Sequence, residues 1–348
     1  MRAARFVGPG LPLSVEDVPD PTPGASEVVV RVEGCGICAS DLHFVLGEIP
    51  LPVVPPLTLG HEPAGVVEAV GAEVPVWEAG DRVAVAAGRA CMRCRACAAG
   101  LLEECRAPQV MGAHYDGAFA ELVAAPWYSL ARLPDSVPFE HGAIACDAVS
   151  TPYAALIDRG GLRPGERVGL WGIGGLGTQA VQIARLAGAS FVAAVDPIPE
   201  ARDRALRLGA DVAFDPSEDV PNGIRDATGG RGLDLAVDLI GKQAVIRQAM
   251  ASCTRRGRIV VVGQSFEPLD LGPLAFVSFL GLSILGHLGY SKRHLEDVLA
   301  LMAKGRLDVS GSISDSLPLD RVQEGIDRLA SKEGAPVRLL VTPNAGRP

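Results

Sequence analysis

The 348-residue sequence contains no run of 18 apolar residues, the length that a membrane-spanning helix requires. Its first ten residues, MRAARFVGPG, lack the apolar core of a secretory signal. Positive charge is also in deficit, because 32 Lys and Arg stand against 41 Asp and Glu, which gives a net charge of −9. An acidic surface repels phosphates, which disfavours nucleic acids and anionic membranes as partners. We therefore expect a cytoplasmic protein with a small-molecule substrate.

The length suggests two domains, at roughly 100–200 residues for each. Residues 1–148 carry short alternating apolar runs bounded by Gly or Pro, such as EVVVRVEG at 27–34 and DRVAVAAG at 81–88. This pattern is typical of short antiparallel strands in a barrel or sandwich. From RVGLWG at 167–172 onward, apolar strands alternate with helix-period segments. This second pattern predicts βαβ units and a parallel sheet that is covered on both faces.

A glycine-rich segment, GIGGLG at 172–177, follows a predicted strand and begins a predicted helix. Gly172 permits a tight turn, Gly174 lets the backbone approach a pyrophosphate, and Gly177 allows close packing of helix and strand. The alternative is a tight turn without a ligand, which the agreement of strand, glycines and helix disfavours. The predicted dinucleotide-binding loop consists of Gly172, Gly174, Gly175, Leu176 and Gly177.

Asp196 ends the next predicted strand, 19 residues beyond Gly177. A carboxylate there can accept hydrogen bonds from an adenosine ribose. It would also repel a 2′-phosphate, so NAD is favoured over NADP as the cofactor. Arg202, six residues further on, could partly offset this preference.

Four of the eight cysteines lie within fifteen residues, at positions 91, 94, 97 and 105. In a reducing compartment, closely spaced cysteines indicate metal binding in preference to disulfides. Thiolates at steps of three, three and eight can surround one zinc ion tetrahedrally and leave no open position. Cys91, Cys94, Cys97 and Cys105 are therefore predicted to hold a structural zinc. An iron–sulfur cluster is the alternative.

A second group of metal-binding side chains is divided between two segments, GCGICASDLH at 34–43 and GHEPAG at 60–65. A lone histidine or cysteine is more often an ordinary packed or exposed residue. Two such segments, about twenty residues apart in a chain with a dinucleotide site, favour a metal site instead. The candidates are Cys35, Cys38, Asp41, His43, His61 and Glu62.

With these segments the sequence resembles the zinc-dependent medium-chain alcohol dehydrogenases, and the match extends over essentially the whole chain. The resemblance implies an α/β protein with a Rossmann doubly wound parallel sheet and a GroES-like, β-barrel-containing catalytic domain. The catalytic domain would comprise residues 1–148 and 285–348, with the structural zinc lobe at about 88–106. The dinucleotide-binding domain would comprise residues 149–284.

The resemblance also implies roles for residues of the catalytic site. Cys38 and His61 would be the first two ligands of a catalytic zinc, and Glu62 a neighbouring carboxylate that can approach the metal. Asp41 would orient a ligand, a role such carboxylates generally play. Cys35 would pack in the turn between strand and loop.

Two adjacent residues, Cys146 and Asp147, are candidates for the third zinc ligand. The family pattern is ligand-x-x-x-Thr-x-Tyr, and Thr151 with Tyr153 puts Asp147 in the ligand position. Cys146 falls one position short. If the segment is helical, successive side chains point about 100° apart, so only one of them can serve. Asp147 is the predicted ligand, and Cys146 is predicted to be a buried packing neighbour.

The family further implies a proton relay, in which the hydroxyl of Ser40 passes a proton through the cofactor ribose to His43. The alternatives are a turn residue for Ser40 and a surface histidine for His43. Arg338 would contact the pyrophosphate, while Leu176 and Thr151 would either press on the nicotinamide or simply pack.

The leading interpretation is a zinc-dependent alcohol dehydrogenase with two zinc ions per subunit and NAD, acting on a secondary or cyclic alcohol. One alternative is an NADPH-dependent reductase of activated double bonds, which the Ser40–His43 pair and Asp196 disfavour. Another is a binding protein without redox activity. The apolar run FVSFLGLSILG at 276–286 would form either an edge strand that pairs subunits of a homo-oligomer, dimer or tetramer, or a buried strand.

Overall fold

The computed structural model describes residues 1–345. The strands in this range are β1 (Arg2–Phe6), β2 (Ser14–Asp17), β3 (Glu27–Ile37), β4 (Leu57–Thr58), β5 (Glu62–Val70), β6 (Arg82–Val85), β7 (Gly88–Arg89), β8 (Gln109–Val110), β9 (Leu122–Pro126), β10 (Leu130–Arg132), β11 (Arg167–Trp171), β12 (Phe191–Val195), β13 (Val212–Phe214), β14 (Leu233–Asp238), β15 (Cys253–Val261), β16 (Ser283–Gly286), β17 (Ile313–Pro318) and β18 (Arg338–Thr342). The α-helices are α1 (Ala39–Leu46), α2 (Arg95–Ala98), α3 (Phe139–Ile144), α4 (Ser150–Ala154), α5 (Gly175–Leu186), α6 (Pro199–Arg207), α7 (Val220–Ala227), α8 (Gln243–Ser252), α9 (Leu274–Leu280), α10 (Lys292–Ala303) and α11 (Val322–Ser331). Two segments, Ala145–Val149 and Ala155–Arg159, are π-helical.

The chain divides into two compact units. One comprises residues 1–150 together with the segment that begins at Tyr290, and the other comprises Thr151–Gly289. The boundaries expected from the family resemblance were 148/149 and 284/285. None of the helices in residues 1–345 has both the length and the apolar character needed to cross a membrane.

The first unit is built on a sheet in the order β10-β6-β5-β3-β18-β17, with β9 also paired to β3. Its pairs are antiparallel except for β17 with β18, as the alternating sequence predicts. Along β3, Val28, Val30 and Val32 are fully buried. Each such side chain contributes about 1.5–3 kcal/mol when it is removed from water. These three valines pack in one core cluster, while Val29, on the opposite face of β3, is buried outside that cluster.

The second unit contains a parallel sheet in the order β13-β12-β11-β14-β15-β16. The helices α5, α6, α7 and α8 fall between consecutive strands in the chain, which confirms the predicted βαβ pattern. Since the strand order reverses between β11 and β14, the carboxyl end of β11 lies at the topological switch point. In doubly wound folds this is where dinucleotides bind.

The interpretation of 276–286 as one strand is only partly correct. Residues 274–280 form α9, and the strand β16 occupies the sheet edge. Pro273 begins the helix, and Gly281 ends it in the left-handed conformation at φ +61°. An apolar run without alternation does not distinguish a helix from a strand, which explains the error.

Candidate functional site

Two paired strands bring the dispersed metal-binding segments together. β3 and β5 are antiparallel, with Gly36 opposite Glu62. Cys38 follows the end of β3 at the N-terminus of α1, and His61 immediately precedes β5. The pairing therefore sets a thiol and an imidazole side by side. The π-helical segment that follows α3 adds Asp147 to them.

The four side chains form one compact cluster. Cys38, His61, Glu62 and Asp147 each offer a ligand atom within 4.8 Å of the others. The Cys38 Sγ lies 3.4 Å from Asp147 Oδ2, which is 3.9 Å from His61 Nε2. A tetrahedral zinc with bonds of about 2.0–2.3 Å separates its ligand atoms by about 3.3–3.8 Å. The donor set and these spacings fit a zinc ion.

Asp41 holds both segments of the cluster in place. It is fully buried, its Oδ2 accepts the backbone N–H of Cys38 at 2.9 Å, and its Oδ1 accepts that of Gly60 at 3.1 Å. The same Oδ1 lies 3.5 Å from His61 Nδ1, which leaves Nε2 on the side of Asp147. Burial lowers the pKa of His61, but Asp41 and Cys38 together outweigh this effect, and the pKa is raised well above its ordinary value. Metal binding would displace that proton, since only a neutral imidazole is a ligand.

Glu62 and Arg338 form a buried pair beside the cluster. The Arg338 Nη1 lies 3.3 Å from Glu62 Oε1 and also donates to the Ile37 carbonyl at 2.9 Å. Burial raises the pKa of Glu62, and Arg338 opposes this rise. Within residues 1–345, both Glu62 oxygens and the Nε and Nη2 of Arg338 have no hydrogen-bond partner. Unpaired buried polar groups cost about 1–3 kcal/mol each, so these atoms fit a site that holds a polar or charged occupant.

Cys146 is turned away from the cluster. Its fully buried Sγ donates to the carbonyls of Gly142 and Pro63, each at 3.3 Å. Burial raises the pKa of this thiol well above its usual range, which keeps it protonated and unreactive. Asp147, one residue later, points toward Cys38 and His61. The two neighbours therefore occupy different environments.

Three further residues named in the resemblance, Cys35, Ser40 and His43, lie in or near α1. The Ser40 Oγ is 3.7 Å from Cys38 Sγ, and His43 is half-buried on the same helix. Cys35 is fully buried inside β3, and so it belongs to the strand and not to the turn where it was expected.

The four closely spaced cysteines also come together. Their Sγ atoms lie within 4.8 Å of one another, with Cys97 at 3.5 Å from Cys94 and 3.9 Å from Cys91. Backbone N–H groups, that of Arg106 above all, lower the pKa of Cys94 to about 6. Four sulfur atoms at these spacings fit a closed tetrahedral zinc site, and the lowered pKa of Cys94 favours the thiolate form that binds zinc.

In the glycine-rich loop each glycine has a distinct geometry. Gly172 has φ +91°, a conformation that side chains disfavour. Gly174 begins α5 with open space around it, since no atom lies within 4 Å of where a Cβ would be. A Cβ on Gly177 would stand 1.9 Å from the carbonyl oxygen of Gly172. The loop is therefore tightly packed on one side and open on the other.

Asp196 lies at the carboxyl end of β12 and ties this loop down. Its carboxylate accepts the N–H of Ile173 at 2.7 Å and that of Ile198 at 2.9 Å. Arg202 donates to the Asp196 carbonyl at 2.7 Å and pairs with Asp215 at 3.0 Å. The guanidinium of Arg202 is thus already neutralised by an acid of the protein.

Two residues near these sites, Tyr290 and Arg204, were not predicted from the sequence. The Tyr290 hydroxyl is buried and has no hydrogen-bond partner in the described part of the chain. Burial above all raises the pKa of this hydroxyl well above its ordinary value, and the neighbouring Cys146, Asp147 and Glu62 add to the rise, which puts Tyr290 near the cluster. Arg204 donates to the Ile173 carbonyl at 2.7 Å and so supports the glycine loop. Only the three-dimensional structure relates either residue to a site.

Comparison with known proteins identifies similar chains along almost the entire length. The family model for the alcohol dehydrogenase GroES-like domain matches residues 24–135, and that for zinc-binding dehydrogenases matches residues 175–304. An alcohol dehydrogenase of Geobacillus stearothermophilus is 34% identical, with 91% of this chain and 93% of that protein covered. An NAD-dependent alcohol dehydrogenase of Sulfurisphaera tokodaii is 33% identical, with 98% and 100% covered.

The structural similarity is equally extensive. An alcohol dehydrogenase from Thermus sp. ATN1 superposes with a TM-score of 0.91 at 33% identity, with 98% of this chain and 99% of that chain covered. Other matching proteins bear different substrate names, among them a sorbitol dehydrogenase of Bacillus subtilis and an L-threonine 3-dehydrogenase of Symbiobacterium thermophilum, each 31% identical. The similarity therefore identifies a reaction class without specifying one substrate.

Proposed function

The chain belongs to the zinc-dependent medium-chain dehydrogenase family and is an oxidoreductase of the alcohol dehydrogenase type, and from this premise we propose that it oxidises a secondary or cyclic alcohol with NAD. In the reverse direction it would reduce the corresponding carbonyl compound. The observation that carries the proposal is the cluster of Cys38, His61, Glu62 and Asp147, whose atoms fit a zinc ion. Cys91, Cys94, Cys97 and Cys105 would hold a second, structural zinc.

Some residues of the cluster would bind the metal, and their neighbours would orient those ligands. A zinc ion bound by Cys38, His61 and Asp147 supplies Lewis acidity to the substrate oxygen. Asp41 would keep the His61 ring oriented with Nε2 available as a ligand. Glu62 would remain beside the metal ligands, paired with the buried Arg338.

Ser40 and His43 would carry the proton that alcohol oxidation releases. Oxidation of a carbinol to a carbonyl, with the hydride taken up by a bound nicotinamide cofactor, would set one proton free in each turnover. Ser40 lies next to Cys38, and His43 is partly exposed on the same helix. A histidine suits the outer end of such a relay, because its usual pKa lies close to neutral pH.

Two features support NAD over NADP. The Asp196 carboxylate would meet the adenosine ribose and repel a 2′-phosphate. Arg202, the nearby cation that could attract such a phosphate, is paired with Asp215. The unpaired Nε and Nη2 of Arg338 are suitable donors for the pyrophosphate of the cofactor.

We also propose that two copies of the chain associate through β16. This strand is at the edge of the parallel sheet, and the neighbouring α9 exposes Leu274 and Phe279. An exposed strand edge with apolar side chains beside it favours pairing with another copy.

The reaction itself is tested by mixing the purified protein with NAD or NADP and a panel of primary, secondary and cyclic alcohols. We expect reduced cofactor to accumulate with secondary or cyclic alcohols, with kcat/KM at least about tenfold higher for NAD, a difference of about 1.4 kcal/mol. Absorbance at the wavelength of the reduced nicotinamide measures it. Turnover of no alcohol, together with reduction of an enone by NADPH, would support the double-bond reductase instead.

Tyr290→Phe tests whether the unpaired phenol serves the substrate. Removing a buried hydroxyl without a partner should leave the melting temperature unchanged or slightly higher. If the hydroxyl bonds to the substrate, KM should rise about two- to tenfold, as expected for a lost hydrogen bond of about 0.5–1.5 kcal/mol. Thermal unfolding and steady-state kinetics measure the two effects. A lower melting temperature with unchanged KM would show that Tyr290 serves the fold alone.

A further inference from the structure

His43, at the exposed end of the proposed relay, is in contact with the carboxylate of Glu48. The Glu48 Oε2 lies 2.5 Å from the Nδ1 of His43. Both side chains are reached by solvent, the glutamate more than the histidine. A pair of this kind on a surface contributes little to stability. An effect of Glu48 on the chemistry of His43 is therefore the more informative one to consider.

The backbone brings Glu48 back over His43. The helix α1 ends at Leu46, and Gly47 follows in the left-handed conformation at φ +73°. This turn lets the N–H of Glu48 donate to the carbonyl of His43 at 2.9 Å. Such a closure is a common helix ending, and it fixes where the next residue lies. The two side chains therefore start from neighbouring, fixed backbone positions.

The segment before β2 supports the same turn. A Cβ on Gly47 would stand 2.9 Å from the Cβ of Pro9, so the position has no room for a side chain. The N–H of Gly10 donates to the Val45 carbonyl at 2.8 Å. The chain thus holds the end of α1 in place from outside the helix.

We propose that Glu48 is a positioning residue for His43, an inference that rests on the proposed dehydrogenase function. An ionised carboxylate can only accept hydrogen bonds, so the Nδ1 of His43 carries the proton between them. The neutral ring then has its lone pair on Nε2. Glu48 in this way selects the tautomer and the orientation in which His43 can receive a proton.

The number of protons that His43 accepts and releases balances over one turnover. His43 accepts one proton at Nε2, while its Nδ1–H stays bonded to Glu48. The resulting imidazolium releases the Nε2 proton to water and returns to its starting tautomer. Glu48 remains ionised throughout, which separates its role from that of an acid or base.

The first test is spectroscopic and does not depend on catalysis. In protein labelled with ¹⁵N-histidine, the parent is expected to show His43 protonated at Nδ1, with the signal assigned from the His43→Gln variant. Glu48→Ala should shift His43 toward the Nε2-protonated form that free imidazole side chains prefer. Glu48→Gln, whose amide oxygen still accepts a hydrogen bond, should give an intermediate result.

The second test is kinetic and uses a matched control. Glu296→Ala also removes a partly exposed glutamate from a surface ion pair, that with Lys292 at 3.2 Å, but lies on α10. Glu48→Ala is expected to lower kcat about tenfold or more with KM unchanged, as losses of orienting partners generally do. Glu48→Gln should retain an intermediate kcat, and Glu296→Ala should match the parent.

The outcomes separate this proposal from the proposed function. If Glu48→Ala keeps both the parent tautomer and a kcat equal to that of Glu296→Ala, Glu48 has no positioning role and the dehydrogenase function stands. If the parent oxidises no alcohol, the proposed function fails, and the tautomer alone decides whether Glu48 orients His43. A changed tautomer supports the pairing, and an unchanged one overturns it.

Discussion

Asp147→Asn is expected to lower kcat/KM for alcohol oxidation by about a thousandfold, equivalent to about 4 kcal/mol of transition-state stabilisation. The carboxylate stands between the thiol of Cys38 and the imidazole of His61, with its Oδ2 3.4 Å from the former and 3.9 Å from the latter. Asparagine keeps the shape but loses the negative charge, and a neutral amide is a much weaker zinc ligand. The variant should also lose the catalytic zinc and retain the one in the four-cysteine lobe. Metal analysis by mass spectrometry, alongside steady-state kinetics, measures both effects.

The neighbouring cysteine supplies the control. Cys146→Ala removes a thiol whose hydrogen bonds go only to the carbonyls of Gly142 and Pro63. It should cost about 1 kcal/mol of stability and leave both metal content and kcat/KM close to those of the parent. A variant series in which Cys146→Ala loses the zinc while Asp147→Asn keeps it would reverse the assignment of the ligand.

The choice between these adjacent residues shows how far the sequence could go. Counting back from Tyr153 pointed to Asp147, and the structure brings Asp147 and not Cys146 into the cluster. The supporting argument assumed an α-helix, yet the segment Ala145–Val149 is π-helical. No periodicity in the sequence predicts a π-helical turn, which is often found at functional sites. The register of the family pattern was therefore the stronger guide.

Features that depend on local order were well predicted. The alternation of β3 and the glycine spacing of the loop depend on residues that are neighbours in the chain. Contacts between distant residues were predicted only where the family pattern supplied them, as for Cys38, His61 and Asp147. Arg338 was expected at the pyrophosphate, and nothing in its own surroundings in the sequence indicated the buried pair with Glu62. Tyr290 was missed for the same reason, since it nears the cluster only when the chain folds.

The helix α9 illustrates a third kind of error. The run from Phe276 to Gly286 is apolar without alternation, and such a run is compatible with helix or strand. Gly281, in the left-handed conformation, splits it into a helix and a short edge strand. Leu274 and Phe279, both on this helix, are exposed and therefore lie on a surface and not in a core. Periodicity alone could not have revealed this.

Gly177→Ala is expected to destabilise the dinucleotide-binding unit by about 3 kcal/mol. The added methyl group would overlap backbone atoms, which cannot move aside as a flexible side chain can. The added Cβ would stand 1.9 Å from the Gly172 carbonyl oxygen, so α5 must move away from the end of β11. That movement would pull the N–H groups at the start of α5 out of position for a pyrophosphate. The melting temperature should fall by roughly 10 °C, and NAD binding should be lost. Calorimetric unfolding and titration of the protein with NAD measure the two effects.

Gly174→Ala separates binding from folding within the same loop. Its Cβ would enter open space, and its φ of −83° lies outside the left-handed region, so the loss of stability should be about 1 kcal/mol or less, well below that at Gly177. The methyl group would nevertheless stand where the pyrophosphate of the cofactor must approach the protein backbone, and the dissociation constant of NAD should rise about tenfold or more. If both variants unfold like the parent and bind NAD equally well, the loop is a simple turn and the dinucleotide lies elsewhere. Loss of affinity with little loss of stability at Gly174, and loss of both at Gly177, is the pattern expected of a phosphate-binding loop of this geometry.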